Sequence, residues 1–277
     1  MKHLLSLLSV AVWIAAHPAR GAAPSLSWTN NLLTFHDERL PGGQLDIWYL
    51  EAFLRPGAHG RDWGQTVIRH RTQLVATSRD GRELRFRTEV EPSVEVIHAV
   101  GIVDDGLDLE FMLTNRGTNS APVQWFQPAC IRVAAFTGRG QLDYTARSFV
   151  FTTNGLTPLD RLQRTTQALY LGGQVFLPSW TLPADANPRP LAANLLTNGL
   201  IGCISADNRW ILATASDRTH ELFEGVYVCL HSDPLIGGLK RGEQRRIRQK
   251  LYLVPNDAEA LLKRYQRDFP ASADGRF

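Results

Sequence analysis

Short runs in which apolar and polar residues alternate follow one another along most of the chain. Residues 84–90 (LRFRTEV) alternate strictly, so every second residue from Leu84 to Val90 falls on one face. A period of two residues is typical of a half-buried β-strand, because successive side chains of a strand point to opposite faces. The signals RDGR at 79–82 and DDG at 104–106 separate such runs and predict tight hairpins.

The whole pattern amounts to roughly twelve to fifteen short strands with turn signals every 8–12 residues or so. One helix is predicted, at residues 258–267 (AEALLKRYQR), with Asn256 or Asp257 as its N-cap. Helices long enough to connect parallel strands are missing from the pattern, which excludes a parallel α/β fold. We therefore expect an all-β protein, a large antiparallel β-sandwich or a barrel, with a short C-terminal helix.

The N-terminus has the pattern of a secretory signal peptide. Lys2 and His3 form a short basic start, residues 4–16 are apolar, and small residues follow at 21–23. The apolar run is shorter than the about 20 residues that span a membrane, although an uncleaved anchor is the alternative. We expect residues 1–23 to be a signal peptide and residues 24–277 to form one sandwich domain, secreted or periplasmic, without a membrane span.

Charge and cysteine content narrow the choice of partners. The formal net charge is +3, and it falls to +1 once Lys2 and Arg20 leave with the signal peptide. A nucleic-acid-binding protein would show a clear basic excess, so nucleic acid is not an expected partner.

The three cysteines, Cys130, Cys203 and Cys229, lie in apolar strand-like contexts. They read either as buried apolar side chains or as one disulfide, Cys203–Cys229, with a third free thiol. The lack of a CxxC motif argues against a zinc or redox site built on cysteine.

Two runs resemble galactose-mutarotase-like proteins. The first is VIHAVGIVDDGLDLEFMLTNRGTNSAPVQWFQPACI at 96–131, and the second is GVYVCLHSDPLIGGLKRGEQRRIRQKLYLV at 225–254. Together they span a strand, a hairpin, an Asn turn, an aromatic-rich strand and the closing strands of that family. The resemblance extends over about half of residues 24–277 and implies a large sandwich with a sugar site.

This sequence departs from the family at its catalytic positions. The family carries a catalytic histidine on the aromatic-rich strand, where residues 125–130 (WFQPAC) contain none. Its catalytic glutamate would fall near Leu230 and His231, where the ionisable residue is His231. The same sandwich also occurs in polysaccharide lyases and glycoside hydrolases, so we expect lyase or hydrolase chemistry rather than mutarotation.

The densest group of ionisable residues lies at 198–238. His231 follows an apolar strand and opens a turn, which suits a proton-transferring group near neutral pH. Asp233 would orient its ring; an exposed turn histidine is the alternative reading. Glu224 is a candidate acid or base with Glu221, but a spacing of three puts them on opposite faces of a strand, so they pair only in a turn.

His70 and Arg71 are the other two proposed catalytic residues. They lie on a polar strand face that would either form the floor of a sugar site or face solvent. Arginine suits a carboxylate or a developing enolate. Several loop and aromatic residues are expected to bind substrate. The alternative is that their side chains pack inside the loop or belong to a large hydrophobic core. These residues are His59, Trp63, Trp125, Gln127, Trp180 and Arg189, with Asp233.

The sequence thus predicts an exported carbohydrate-active enzyme, a glycan lyase or glycoside hydrolase that uses His and Arg. A non-catalytic glycan-binding module and a structural envelope protein are the alternatives. No cofactor is expected; a metal ion held by His59, His70 and His231 is the minority hypothesis. His98, in the apolar run VEVIHAVGI, reads as a satisfied sheet residue.

Overall fold

A computed structural model describes residues 23–171, 173–193 and 196–270 of the chain. The predicted signal peptide at 1–23 lies outside this part except for Ala23. No helix within the described ranges is both long enough and apolar enough to cross a membrane.

Seventeen strands occur in the described part of the chain. In chain order they are β1 (Ser25–Thr29), β2 (Leu32–His36), β3 (Gln44–Leu54), β4 (Val67–Ile68), β5 (His70–Thr77), β6 (Glu83–Val90), β7 (Val94–Val103), β8 (Gly106–Asn115), β9 (Trp125–Arg132), β10 (Ser148–Thr152), β11 (Gly155–Pro158), β12 (Gln174–Phe176), β13 (Ile201–Ile204), β14 (Trp210–Ser216), β15 (Thr219–Gly225), β16 (Cys229–Pro234) and β17 (Gln244–Pro255).

Helices are short and few in the same ranges. The α-helices are α1 (Trp63–Thr66), α2 (Ala134–Thr137), α3 (Thr166–Leu171) and α4 (Ala258–Asp268), and turns of 3₁₀ helix lie at Pro41–Gly43, Tyr144–Arg147, Leu159–Arg161 and Pro183–Asp185. The C-terminal helix α4 is the predicted one. Asp257 caps it by accepting a hydrogen bond from the Ala260 amide at 2.9 Å, and Leu261 and Tyr265 are buried.

The strands form two antiparallel sheets packed face to face. The first has the order β1-β2-β3-β9-β16-β15-β12, with β4 added beside β3, and the second has the order β11-β10-β13-β14-β17-β8-β7-β6-β5. The predicted hairpins at 79–82 and 104–106 join β5 to β6 and β7 to β8. This confirms the large antiparallel sandwich.

Aromatic side chains fill the space between the sheets. Tyr49 of the first sheet contacts Phe86 of the second with ring centroids 5.1 Å apart, and Phe111 and Phe126 meet across the sandwich at the same distance. In β6 the buried positions alternate as the sequence predicts. The removal of these apolar side chains from water makes the main favourable contribution to the free energy that holds the two sheets together.

All three cysteines are free and buried. Cys203 lies on β13 of the second sheet, whereas Cys229 lies on β16 of the first, so the disulfide considered from the sequence does not form. Cys130, on β9, lies next to β16 instead, because β9 and β16 are neighbouring strands.

Candidate functional site

Strands β15 and β16 place the acidic and histidine side chains by simple alternation. Glu221 pairs with Asp233, and Phe223 pairs with His231, so these four side chains share the face of the first sheet that points away from the core. Leu222 and Leu230 alternate with them and pack into the core. The turn reading of ELFEG is therefore excluded, since this segment is strand.

A β-bulge in β3 brings Glu51 to the same face. Tyr49 pairs with Ala129 and Ala52 pairs with Gln127, so two residues of β3 oppose the single residue Pro128. Proline lacks the amide hydrogen that a regular ladder needs, and it is tolerated in strands at bulges. A bulge redirects a side chain, and here the Glu51 carboxylate reaches 3.9 Å from His231 Nε2.

An open cavity of about 450 Å³ covers this face, and we call it the His231 cavity. Its floor comes from β3, β9, β15 and β16, and its rim comes from three loops. The lining residues are Glu51, Arg61, Asp62, Trp63, Gln127, Cys130, Asn187, Pro188, Arg189, Phe223, Gly225, Val226, Tyr227, Cys229 and His231. Cavities of about 300–1,000 Å³ hold small ligands, so one or two sugar units would fit.

The proline-rich connection between β12 and β13 supplies one wall, as the sequence suggests. Glu221 accepts a hydrogen bond from the Asn187 amide at 2.8 Å, and His59 Nδ1 lies 2.9 Å from the Asn187 carbonyl oxygen. These contacts fix the wall to the sheet and to the glycine-rich loop opposite. His59 therefore supports the cavity through Asn187 rather than by lining it.

His231 is enclosed by polar groups on both ring nitrogens. Nε2 lies 3.4 Å from Cys229 Sγ, and Nδ1 lies 3.5 Å from Asp233 Oδ1. Burial disfavours a charge on the ring, but Cys130 and Asp233 together raise the pKa of His231 well above its usual value. The hydrogen bond with Cys229, and after it burial, raises the pKa of the Cys130 thiol strongly.

Asp233 is itself buried and partnered on its second oxygen. Gln127 Nε2 donates a hydrogen bond of 2.9 Å to Asp233 Oδ2. Burial raises the pKa of Asp233, while His231 and Gln127 act in the opposite direction. Burial, with the charge of Asp233, raises the pKa of Glu221 well above its usual value. The site therefore concentrates acidic groups in a place that water reaches poorly.

The structure brings part of the predicted set together. His231, Trp63, Gln127 and Arg189 line the His231 cavity, and Asp233 lies directly behind His231.

His70 and Arg71 are not brought to this cavity. They line a separate cavity of about 760 Å³, the His70 cavity, together with Glu89 and other charged residues of β6 and β7. His70 Nε2 lies 3.0 Å from the Leu50 carbonyl oxygen. Leu50 and Glu51 are adjacent in the β-bulge of β3. His70 and His231 therefore contact the same bulge from two different cavities.

Glu224 and two tryptophans also lie elsewhere. Glu224 is on the core side of β15, where it pairs with Arg164 and accepts a 3.2 Å hydrogen bond from the Tyr144 hydroxyl. Burial raises the pKa of Glu224 to about 7. Trp125 is fully buried and stacks on His220, while Trp180 Nε1 donates to the Thr219 carbonyl at 2.9 Å. Neither ring lines the cavity.

The metal hypothesis based on His59, His70 and His231 does not fit this geometry, because His70 belongs to the other cavity. Among the described residues, the group with metal-ligand spacing is Cys130, Cys229 and His231. Neither this group nor Glu51 is predicted as a site by the sequence pattern. The available signal for Glu51 was a carboxylate in the second half of the largely apolar run LDIWYLEAFL, which also contains Asp46 near its start.

A scan against protein-family models and a search of curated proteins give no match. Solved structures do show similarity. A galactose mutarotase-like protein from Lactobacillus casei is 11% identical over 84% of this chain and all of its own, with a TM-score of 0.43. A putative aldose 1-epimerase from Escherichia coli K12 is 12% identical over 84% of this chain and 99% of its own, with a TM-score of 0.39.

An α-N-acetylgalactosaminidase from Bifidobacterium bifidum is 9% identical over 88% of this chain and 38% of its own, with a TM-score of 0.43. Galactose-mutarotase-like structures are thus among those to which the chain is similar. At such identities the likeness concerns the fold alone.

Proposed function

We propose that this protein is an exported carbohydrate-active enzyme that cleaves a glycan in the His231 cavity. The observation that carries the proposal is the convergence of exposed aromatic rings, arginines, Glu51 and His231 on one sugar-sized hollow. Sugar recognition uses ring faces for stacking and fixed polar groups for orientation, and this hollow supplies both.

The rim favours an acidic sugar. Trp63 is 38% exposed and Tyr227 is 69% exposed, so each offers a ring face to a ligand. Arg61 and Arg189 also line the rim, and within the described part of the chain neither guanidinium is engaged in an ion pair. Guanidinium groups bind carboxylates through paired hydrogen bonds, which makes a uronic acid unit the favoured substrate.

β-Elimination is the cleavage that suits these groups. An arginine would neutralise the uronic carboxylate, and Glu51 would accept the proton from the carbon next to it. The electron pair of that C–H bond would form the new C=C bond as the glycosidic C–O bond breaks, and the leaving oxygen would take a proton from water in the open cavity. Glu51 Oε2 has no hydrogen-bond partner among the described residues, so it is free to accept one.

The test is incubation of the purified protein with a panel of uronic-acid and neutral glycans. We expect ultraviolet absorbance from an unsaturated product and new reducing ends with uronic glycans. Glu51→Gln should lower kcat/KM by about 100-fold or more, because loss of a general base typically costs 10²–10⁴-fold. Glu89→Gln, in the His70 cavity, is the matched control and should leave the rate unchanged.

Other outcomes would replace the proposal. Reducing ends without an unsaturated product would indicate hydrolysis. Saturable quenching of Trp63 fluorescence by a glycan without turnover would indicate a binding module, for which the exposed Trp63 and Tyr227 rings are the supporting observation. Loss of activity in Glu89→Gln or His70→Ala, with Glu51→Gln fully active, would move catalysis to the His70 cavity. If the protein neither forms a product from any glycan nor binds one, a structural role is favoured.

A further inference from the structure

Two cysteines and one histidine meet on the floor of the His231 cavity. The Sγ atoms of Cys130 and Cys229 and a ring nitrogen of His231 all lie within 4.8 Å of one another. Cys229 Sγ and His231 Nε2 are 3.4 Å apart. The three side chains come from two neighbouring strands of a rigid sheet, so their spacing is held by the fold.

The distance between Cys229 Sγ and His231 Nε2 matches an edge of a tetrahedral zinc site. Zinc binds thiolate sulfur at about 2.3 Å and imidazole nitrogen at about 2.0–2.1 Å. Two ligand atoms on such a tetrahedron are therefore about 3.4–3.8 Å apart. The Cys229–His231 distance is in this range, and the Cys130 sulfur needs a shift of at most about an ångström to complete the face.

The surroundings of His231 are those of a metal ligand. Its Nδ1 faces Asp233 Oδ1 at 3.5 Å, and Gln127 holds the other Asp233 oxygen. Metal-binding histidines commonly have a carboxylate on the second ring nitrogen, which fixes the ring and leaves the first nitrogen for the metal. The Nε2 atom, on the thiol side, is the one left for a ligand.

The fourth position of such a tetrahedron opens on the cavity. Glu51 Oε2 is buried, has no hydrogen-bond partner among the described residues, and lies 3.9 Å from His231 Nε2. A side chain at position 225 would close this space, because a Cβ on Gly225 would lie 2.5 Å from Cys229 Sγ. The glycine keeps the Cys229 sulfur accessible from the cavity.

We propose that Cys130, Cys229 and His231 form a binding site for a thiophilic divalent cation, Zn²⁺, with its fourth coordination position open to the cavity beside Glu51. Three protein ligands and one open position are the arrangement of catalytic zinc sites rather than structural ones. The site does not depend on the proposed function, since the ion can bind whether or not the protein cleaves a glycan.

The test is a Co²⁺ titration of the reduced, metal-free protein followed by absorbance. We expect one Co²⁺ per chain, with thiolate-to-cobalt charge-transfer absorption and the intense visible bands of a tetrahedral ion, both displaced by Zn²⁺. Cys130→Ser and Cys229→Ser should each weaken binding by about 100-fold or more. Asp233→Asn should weaken it by about 10–100-fold, the usual cost of losing a carboxylate behind a histidine ligand.

Cys203→Ser is the matched control, since Cys203 is also buried but lies on the other sheet; its spectrum should equal that of the wild type. Circular dichroism of each variant separates lost binding from lost folding, and His231→Gln provides a further variant without a thiol change. The proposal is overturned by Co²⁺ binding without charge-transfer absorption, or by unchanged binding in Cys130→Ser and Cys229→Ser. A Cys130–Cys229 disulfide that binds no metal after reduction would also overturn it.

Discussion

Asp233 Oδ1 lies 3.5 Å from His231 Nδ1, because the two residues are two positions apart on one face of strand β16. The other Asp233 oxygen takes its hydrogen bond from Gln127 on β9, more than 100 residues earlier in the chain. A charged oxygen buried without a donor is costly, so Gln127 stabilises the fold as well as shaping the cavity floor.

Gln127→Leu should therefore lower the free energy of unfolding by about 2 kcal/mol, the cost of leaving a buried charged group without its donor. Denaturant unfolding followed by circular dichroism measures this. Gln124→Leu is the matched control: Gln124 donates to the half-exposed Asp185 at 3.3 Å, and water can replace that bond. An equal decrease in the free energy of unfolding of the two variants would show that Gln127 does not stabilise the buried Asp233 carboxylate.

Gly106 occupies a hairpin turn where no other residue fits. Its φ is +139°, and a Cβ there would lie 1.9 Å from the Leu251 carbonyl oxygen of β17. Gly106→Ala should destabilise the protein by about 3 kcal/mol, since both the backbone conformation and the close approach oppose a side chain. Gly101→Ala, where a Cβ meets nothing within 4 Å, should change thermal stability little. A similar melting temperature for both variants would contradict this assignment.

The hairpins and the alternation of β6 could be predicted because their signals are local: a turn residue or a period of two fixes them without knowledge of the rest of the chain. The strand reading that separates Glu221 from Glu224 is local in the same way. The His231 cavity is not local. The cysteine cluster depends on β9 lying beside β16, and Glu51 depends on the bulge opposite Pro128.

Some residues that the sequence assigns to the site lie elsewhere in the structure, and the reason is again that contacts distant in the chain decide their position. His70 lies on β5, and sequence alone does not show that the bulged backbone at Leu50 separates it from His231. Trp125 starts an aromatic-rich strand, and its burial follows from the loop packed over it rather than from its own neighbours. Alternation assigns a residue to a face, but the covering of that face is decided by loops distant in the chain.

Glu224 should make the protein less stable as the pH rises. Its pKa is about 7 in the folded protein because of burial, against the ordinary 4.5 when unfolded. Below pH 4.5 the carboxyl is protonated in both states. Between pH 4.5 and 7 the unfolded chain ionises first, so folding loses up to about 3 kcal/mol. The difference in unfolding free energy between wild type and Glu224→Gln should change by this amount between pH 4.5 and 8. A constant difference would rule out the shift.

His98 should act in the opposite direction, at acid pH. It is buried in the core, with Nδ1 2.6 Å from the Tyr49 hydroxyl and Nε2 2.9 Å from Thr88 Oγ1, as the sequence reading of a satisfied sheet residue predicts. Burial raises the pKa of Tyr49 well above its usual value, so its hydroxyl stays protonated and can donate to Nδ1. A neutral ring with its proton on Nε2 would satisfy both contacts.

Burial lowers the pKa of His98 to about 3 in the folded protein, from about 6.5 when unfolded. Above pH 6.5 the ring is neutral in both states and its full contribution to stability is present. As the pH falls from 6.5 to 3, His98 becomes protonated in the unfolded chain but stays neutral in the folded core. This difference lowers the free energy of unfolding by up to about 4 kcal/mol. Acid titration of unfolding free energy should show this loss in the wild type and its absence in His98→Gln, whose amide keeps hydrogen-bonding groups near Tyr49 and Thr88 but does not titrate. If the two curves fall in parallel with pH, the acid sensitivity of the fold comes from groups other than His98.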